Sequence, residues 1–145
     1  MNKRTNIIGT MLIVLLIATA VVANEKVAEY RHHSMEAVEV HFQSILQLMN
    51  SEIPFKSHMS MHVNALADYG TIMPDLFAEG SEGGEALDRI WEEDEQEDFQ
   101  KAIDVFNGAM LTLKTAVDDD DSDAIPAAVR DVGNACRGCH RRYRE

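Results

Sequence analysis

The stretch DAIPAAVRDVGNACRGCHRRY, residues 123–143, carries both the fold signal and the chemistry of this chain. Ile125, Val129, Val132, Cys136, Cys139 and Tyr143 recur every three or four residues, the period of one face of an α-helix. Ser122 or Asp123 is a suitable N-cap, and Pro126 falls in the first turn, where its missing N–H does no harm. The spacing predicts a helix over 123–142. On its apolar face lies Cys136-Arg137-Gly138-Cys139-His140, which holds the only two cysteines of the chain.

C-x-x-C-H is the attachment motif of a c-type haem. Two thiols add to the two vinyl groups of one haem, and the next side chain gives its imidazole to the iron. Other readings of the motif fit less well. A redox C-x-x-C pair usually sits near a βαβ pattern, and none is visible. A structural zinc site wants four ligands at matched spacings, and there is no second cysteine pair. At 100° per residue, Cys136, Cys139 and His140 share a face with Val132 and Tyr143. The haem is therefore expected on the core side of the last helix.

Working back along the chain, three more amphipathic patterns appear. Over 25–50 the stripe is Val27, Ser34/Met35, Val38, Phe42, Ile45 and Met49. Over 56–73 it is Met59, Val63, Leu66, Gly70 and Met73. Over 98–117 it is Phe99, Ala102/Ile103, Phe106, Met110, Leu113 and Val117. The breaks are 51–55 with Pro54, the longer 74–97 with Gly80, Gly83 and Gly84, and the aspartate run 118–121. No strand pattern emerges. Four such helices with mostly short links predict an all-α fold, an antiparallel four-helix bundle with one covalently bound haem.

The N-terminus reads as a secretory signal. Lys3 and Arg4 precede an apolar run over 7–22, and Val21-Val22-Ala23 offers a small-residue cleavage site. We expect residues 1–23 to be removed and 24–145 to form one domain; the competing reading is an uncleaved membrane anchor. Export to the periplasm suits covalent haem attachment. Of the 145 residues, 13 are Lys or Arg and 25 Asp or Glu. Without Lys3 and Arg4, 11 basic residues stand against 25 acidic ones, a formal −14. That balance argues against nucleic acid and anionic membrane surfaces as partners. The acidic runs at 92–98 and 118–121 lack the ligand pattern of an EF-hand and read as solvated. Arg130, Arg137, Arg141, Arg142 and Arg144 crowd the last helix and suggest a small basic docking patch around the haem edge.

No Met or His follows His140, so any sixth iron ligand must come from an upstream helix. Met35 lies on the apolar stripe of the first helix. A methionine on such a stripe is more often core packing than a ligand. His32, one turn earlier, is a rival ligand or a haem propionate donor. His33 points away, and His41, His58 and His62 read as surface residues. Arg31, Arg141, Arg142 and Arg144 are candidates for pairing with propionates.

Three segments in order resemble a known family, the class II c-type cytochromes, which include cytochrome c′. Glu29-Tyr30-Arg31-His32-His33-Ser34-Met35 resembles its "YRQ" segment. Gly80-Ser81-Glu82-Gly83-Gly84 with Ile90-Trp91 resembles "GTEGG…IW". Asp131-Val132-Gly133 with residues 136–144 resembles "DVG…CxxCHxxYR". The resemblance implies one haem c, with Cys136 and Cys139 as thioether anchors and His140 as proximal ligand. It places Arg144 near the axial histidine and Arg31 by a propionate. It also implies that Met35 holds the distal position. There the gas-binding members carry Leu or another apolar residue, and the low-spin members carry a ligating Met. His32 stands where the family often has Gln.

The resulting expectation is a periplasmic electron carrier with a His140/Met35-ligated iron and no catalytic residues, hence not an enzyme. The alternative is a five-coordinate iron that binds NO or CO. Expected partners are redox proteins, with a homodimer through the first two helices as the family's frequent assembly.

Overall fold

The computed structural model describes residues 4–50 and 53–145, with side chains from residue 25 onward. Four α-helices follow in order: α1 (Arg4–Asn50), α2 (Met59–Leu76), α3 (Gln96–Asp118) and α4 (Ile125–Tyr143). Short 3-10 turns occupy Lys56–His58 and Asp88–Trp91. The signal reading of residues 1–23 falls on side chains outside those described. Among the described residues, no helix is long and apolar enough to cross a membrane.

The stripes read from the sequence are the buried faces. Ile45 on α1, Val63 and Leu66 on α2, Met110 and Leu113 on α3, and Val129 and Val132 on α4 meet in one core with at most 1–2 % exposure. A second, smaller cluster joins Ile90, Phe99, Ile103 and Tyr143. Consecutive helices pack side by side: α1 on α2, α2 on α3, and α3 on α4. The α2–α3 crossing is tight enough that a Cβ on Gly70 would stand 2.2 Å from Asn107 Oδ1.

Several boundaries differ from the sequence reading, and α1, expected from Glu25, runs from Arg4. The helix expected to end at Met73 runs through Pro74 to Leu76. In the last turn a proline removes one intrahelical bond, and the chain then closes by Phe77 N–H to Pro74 O at 3.2 Å. The start of the same element, expected as α-helix from Lys56, is a 3-10 turn. Neither Ser122 nor Asp123 caps α4. The N-cap is Ala124, with no side-chain cap bond, and just ahead of the helix Asp121 Oδ1 accepts from the N–H groups of Asp123 (3.2 Å) and Ala124 (3.0 Å). Pro126 does sit in the first turn.

The long connection between α2 and α3 is tied to the C-terminal end of α4. Leu87 N–H donates to Tyr143 O at 2.9 Å and Glu145 N–H to Glu85 O at 3.1 Å, and Ala86 and Arg144 form an isolated antiparallel bridge. Trp91 Nε1 donates to the carbonyls of Phe77 (3.1 Å) and Ala78 (3.0 Å), closing the loop on itself.

Candidate functional site

Between α1 and α4, the first and last helices, lies a cavity of about 350 Å³. Those two helices make few direct contacts with each other. One contact falls at Gly133, where a Cβ would stand 3.3 Å from Phe42 Cζ, so the glycine lets α4 approach α1 at the cavity's inner end. Lining residues include Met35, Val38 and Phe42 from α1, Phe99 and Phe106 from α3, and Cys136, Cys139, His140 and Tyr143 from α4. Phe77 and Ala86 of the long loop complete the apolar wall.

The attachment motif straddles the core. Cys136 packs against the main cluster and Cys139 against the smaller one. Both sulfurs are free thiols. Burial pushes the Cys136 thiol up, against the pull of Arg137, and takes Cys139 to about 11. Both therefore line the cavity as neutral thiols. Burial and neighbouring Arg144 hold the His140 imidazole below its ordinary value, partly offset by Glu39 and Glu85. A neutral imidazole is the form that ligates a metal.

Met35 and His140 line the same cavity from opposite helices. His32 also lines it, but its nitrogens lie near carboxylates: Nε2 is 3.5 Å from Glu36 and Nδ1 is 3.9 Å from Glu85. Arg144 reaches the cavity rim and pairs with Glu85 at 2.5 Å.

Arg31 lines the cavity too, and its guanidinium is a clamp. It is 4 % exposed. Nη1 donates to Leu76 O (3.0 Å), Ser81 O (2.7 Å) and Ser81 Oγ (3.3 Å), and Nη2 donates to Gly83 O (2.5 Å). Its carbon lies 5.1 Å from the Phe77 ring centre and 5.5 Å from that of Trp91. Gly83 and Gly84 have φ of +108° and +67°, a backbone that brings the loop carbonyls round to the guanidinium. Burial lowers the Arg31 pKa, opposed by Glu82.

Several charges differ from the sequence reading. Arg142, expected in a free basic patch, pairs with Glu95 at 2.8 Å and Asp98 at 2.9 Å. Arg137 donates to Asn134 Oδ1 at 2.5 Å. Glu95, read as part of a solvated run, is buried; it accepts from Arg89, Arg142 and Tyr143 Oη and joins the start of α3 to the end of α4. Its carboxyl is held below the usual range, chiefly by Arg89. His41 and His62, read as surface residues, are half-buried and face each other across α1 and α2, Nδ1 to Nδ1 at 2.9 Å. No local pattern marks these partners, because each is brought together by packing between elements.

An apolar slot holding two thiols, a neutral imidazole and two arginines suits a haem bound through C-x-x-C-H. Comparisons with known proteins agree. The family model described as Cytochrome C′ matches residues 26–144. A cytochrome c′ of Alcaligenes xylosoxydans xylosoxydans is 27 % identical over 122 residues, covering 83 % of this chain and 94 % of that one. A cytochrome c-554 of Cereibacter sphaeroides is 30 % identical over 130 residues, covering 83 % and 82 %. Among solved structures, the nitric oxide complex of a cytochrome c prime variant from Alcaligenes xylosoxidans superposes with a TM-score of 0.77 at 27 % identity, over 84 % of this chain and 95 % of that one. The chain is thus an all-α four-helix bundle with a single covalently attached haem c, and it belongs to the cytochrome c′ family.

Proposed function

We propose that this protein binds nitric oxide or carbon monoxide on the Met35 side of its haem. The carrying observation is the shared cavity, with His140 on one wall and Met35 on the other. The nitric oxide complex of a structural relative supports this reading over the electron-carrier expectation formed from sequence. The haem iron, when bound, supplies the gas affinity and the redox change. This chain's residues do the rest. Cys136 and Cys139 would hold the haem to α4, and His140 would offer its imidazole nitrogen to the iron. Phe42, Phe99 and Phe106 keep water from the apolar end of the cavity. Arg144 stands near His140, and Arg31 holds the loop that closes the rim.

A second reading, electron transfer through a His140/Met35-ligated iron, is favoured by Met35 itself. A thioether lining the cavity is a competent soft ligand. The two readings separate in one experiment. Oxidised and reduced optical spectra are recorded before and after adding NO or CO. A five-coordinate high-spin spectrum that shifts with either gas supports the first reading. A six-coordinate low-spin spectrum, with the methionine-to-iron charge-transfer band and no response to gas, overturns it in favour of the second. Met35→Leu should then convert the low-spin form into a gas-binding one.

The proposal includes a periplasmic location and no enzymatic turnover. It also includes a homodimer through α1 and α2, where Tyr30, Val40 and Met61 are more than half exposed. Sedimentation of the haem-loaded protein tests the dimer; a monomer at micromolar concentration removes it.

A further inference from the structure

The rim of the haem cavity carries a second constellation. His32, His33 and Glu36 stand on one turn of α1, so that Glu36 lies i+4 from the first imidazole and i+3 from the second. His32 Nε2 is 3.5 Å from Glu36 Oε1, and His33 Nδ1 is 3.0 Å from Glu36 Oε2. One ligand atom from each of the three lies within 4.8 Å of the others. Zinc bonds of about 2.0–2.1 Å in a tetrahedron put ligand atoms roughly 3.3 Å apart, so small rotations of exposed side chains close the set. The chain also places carboxylates around it. Glu29 is 4.0 Å from His33 Nε2, and Glu85, from the loop between α2 and α3, is 3.9 Å from His32 Nδ1.

We propose that His32, His33 and Glu36 bind a divalent transition-metal ion of the zinc or copper(II) class at the cavity rim. Two imidazoles and a carboxylate are the donor set that suits these ions. The ligands come from a single rigid helix, which fixes their spacing without any loop. The acidic surface draws a divalent cation toward them. Glu85, from a different element, faces His32 Nδ1 while Nε2 faces Glu36, so it is placed to orient that imidazole from behind. It also pairs with Arg144, so the ion would share an electrostatic neighbour with the haem. The proposal does not depend on which gas or electron function the haem serves.

The test is calorimetric titration of Zn²⁺ into the haem-loaded protein. One ion per chain is expected, with a dissociation constant of roughly 1 μM or tighter. His33→Ala should weaken it about tenfold or more. His33 is exposed and does not line the cavity, so the haem spectrum of that variant should match the native one. X-ray absorption at the zinc edge should show two imidazoles and at least one carboxylate. The competing imidazole pair is His41 with His62. Binding that survives His33→Ala, binding lost in His41→Ala but not in His33→Ala, or no binding in the micromolar range each overturns the assignment.

Discussion

Replacing Arg31 with Met keeps the aliphatic stem and removes the guanidinium. Three backbone carbonyls then lose their donor: Leu76, Ser81 and Gly83. A hydrogen bond to a charged group is worth about 1.5–3 kcal/mol, so the gross loss is roughly 5–9 kcal/mol. The 80–84 segment holds three glycines with positive φ, and it can swing outward and let water take part of that burden. We expect about half to be recovered, leaving a net loss of about 3–4 kcal/mol. For a domain of this size, that lowers the thermal midpoint by roughly 10–20 °C. Arg31→Lys should recover little, because one ammonium cannot span the three carbonyls that a planar fork reaches. The assay is urea and thermal unfolding of the haem-loaded protein, with limited proteolysis of the 79–85 segment as a local readout. A loss below about 1 kcal/mol, with unchanged proteolysis, would refute the clamp.

Burial and the neighbouring His41 and His58 hold the His62 imidazole below its ordinary 6.5. The unfolded chain therefore takes up the proton first, so stability is complete above that value and falls as pH drops below it. Urea midpoints should decline from pH 7.5 to 5.5 and decline less in His62→Gln; a midpoint rising on acidification contradicts this. The Glu95 carboxyl is shifted the other way, below its ordinary 4.5, by Arg89 first and then Tyr143 and Arg142. Its contribution is present above 4.5 and lost as pH falls through the folded-state value, so Glu95→Gln should be less stable than the native chain at pH 7. That gap should close toward pH 3, and a gap independent of pH contradicts the linkage. Cys139→Ser should keep covalent haem through Cys136 alone, while Cys136→Ser with Cys139→Ser should lose it, as read from intact mass under denaturing conditions.

The helical stripes were legible because burial on one face leaves a period in the chain. Val132 and Tyr143 on α4, and Met110 and Leu113 on α3, are buried as their spacing requires. The attachment motif was legible for a different reason: its three functional groups are contiguous. What the chain did not display were contacts made by packing between elements. Arg31 and Ser81 are 50 positions apart, and Tyr143 and Glu95 are 48 apart. The resemblance drew attention to the glycine-rich segment and to Arg31, but it did not reveal that one holds the other. Acidic runs read as solvated because composition cannot single out one buried member, and Glu95 is that member. Pro74 read as a stop because a proline's cost depends on how many turns follow it, and here almost none do.

The sparse seam between α1 and α4 bears on how the chain folds. Each of the three well-packed helix pairs joins sequence neighbours, so most native contacts are local and the contact order is low, the regime of fast folders. Closing the bundle is the one step that must unite the two ends of the domain, and there the wall is built around the attachment motif. A three-pair scaffold could thus assemble on the fast timescale of helical hairpins, while the first-to-last closure waits on the cofactor tethered to the final helix. Ring closure, rather than helix formation, would then be the kinetic event that reports maturation of this protein.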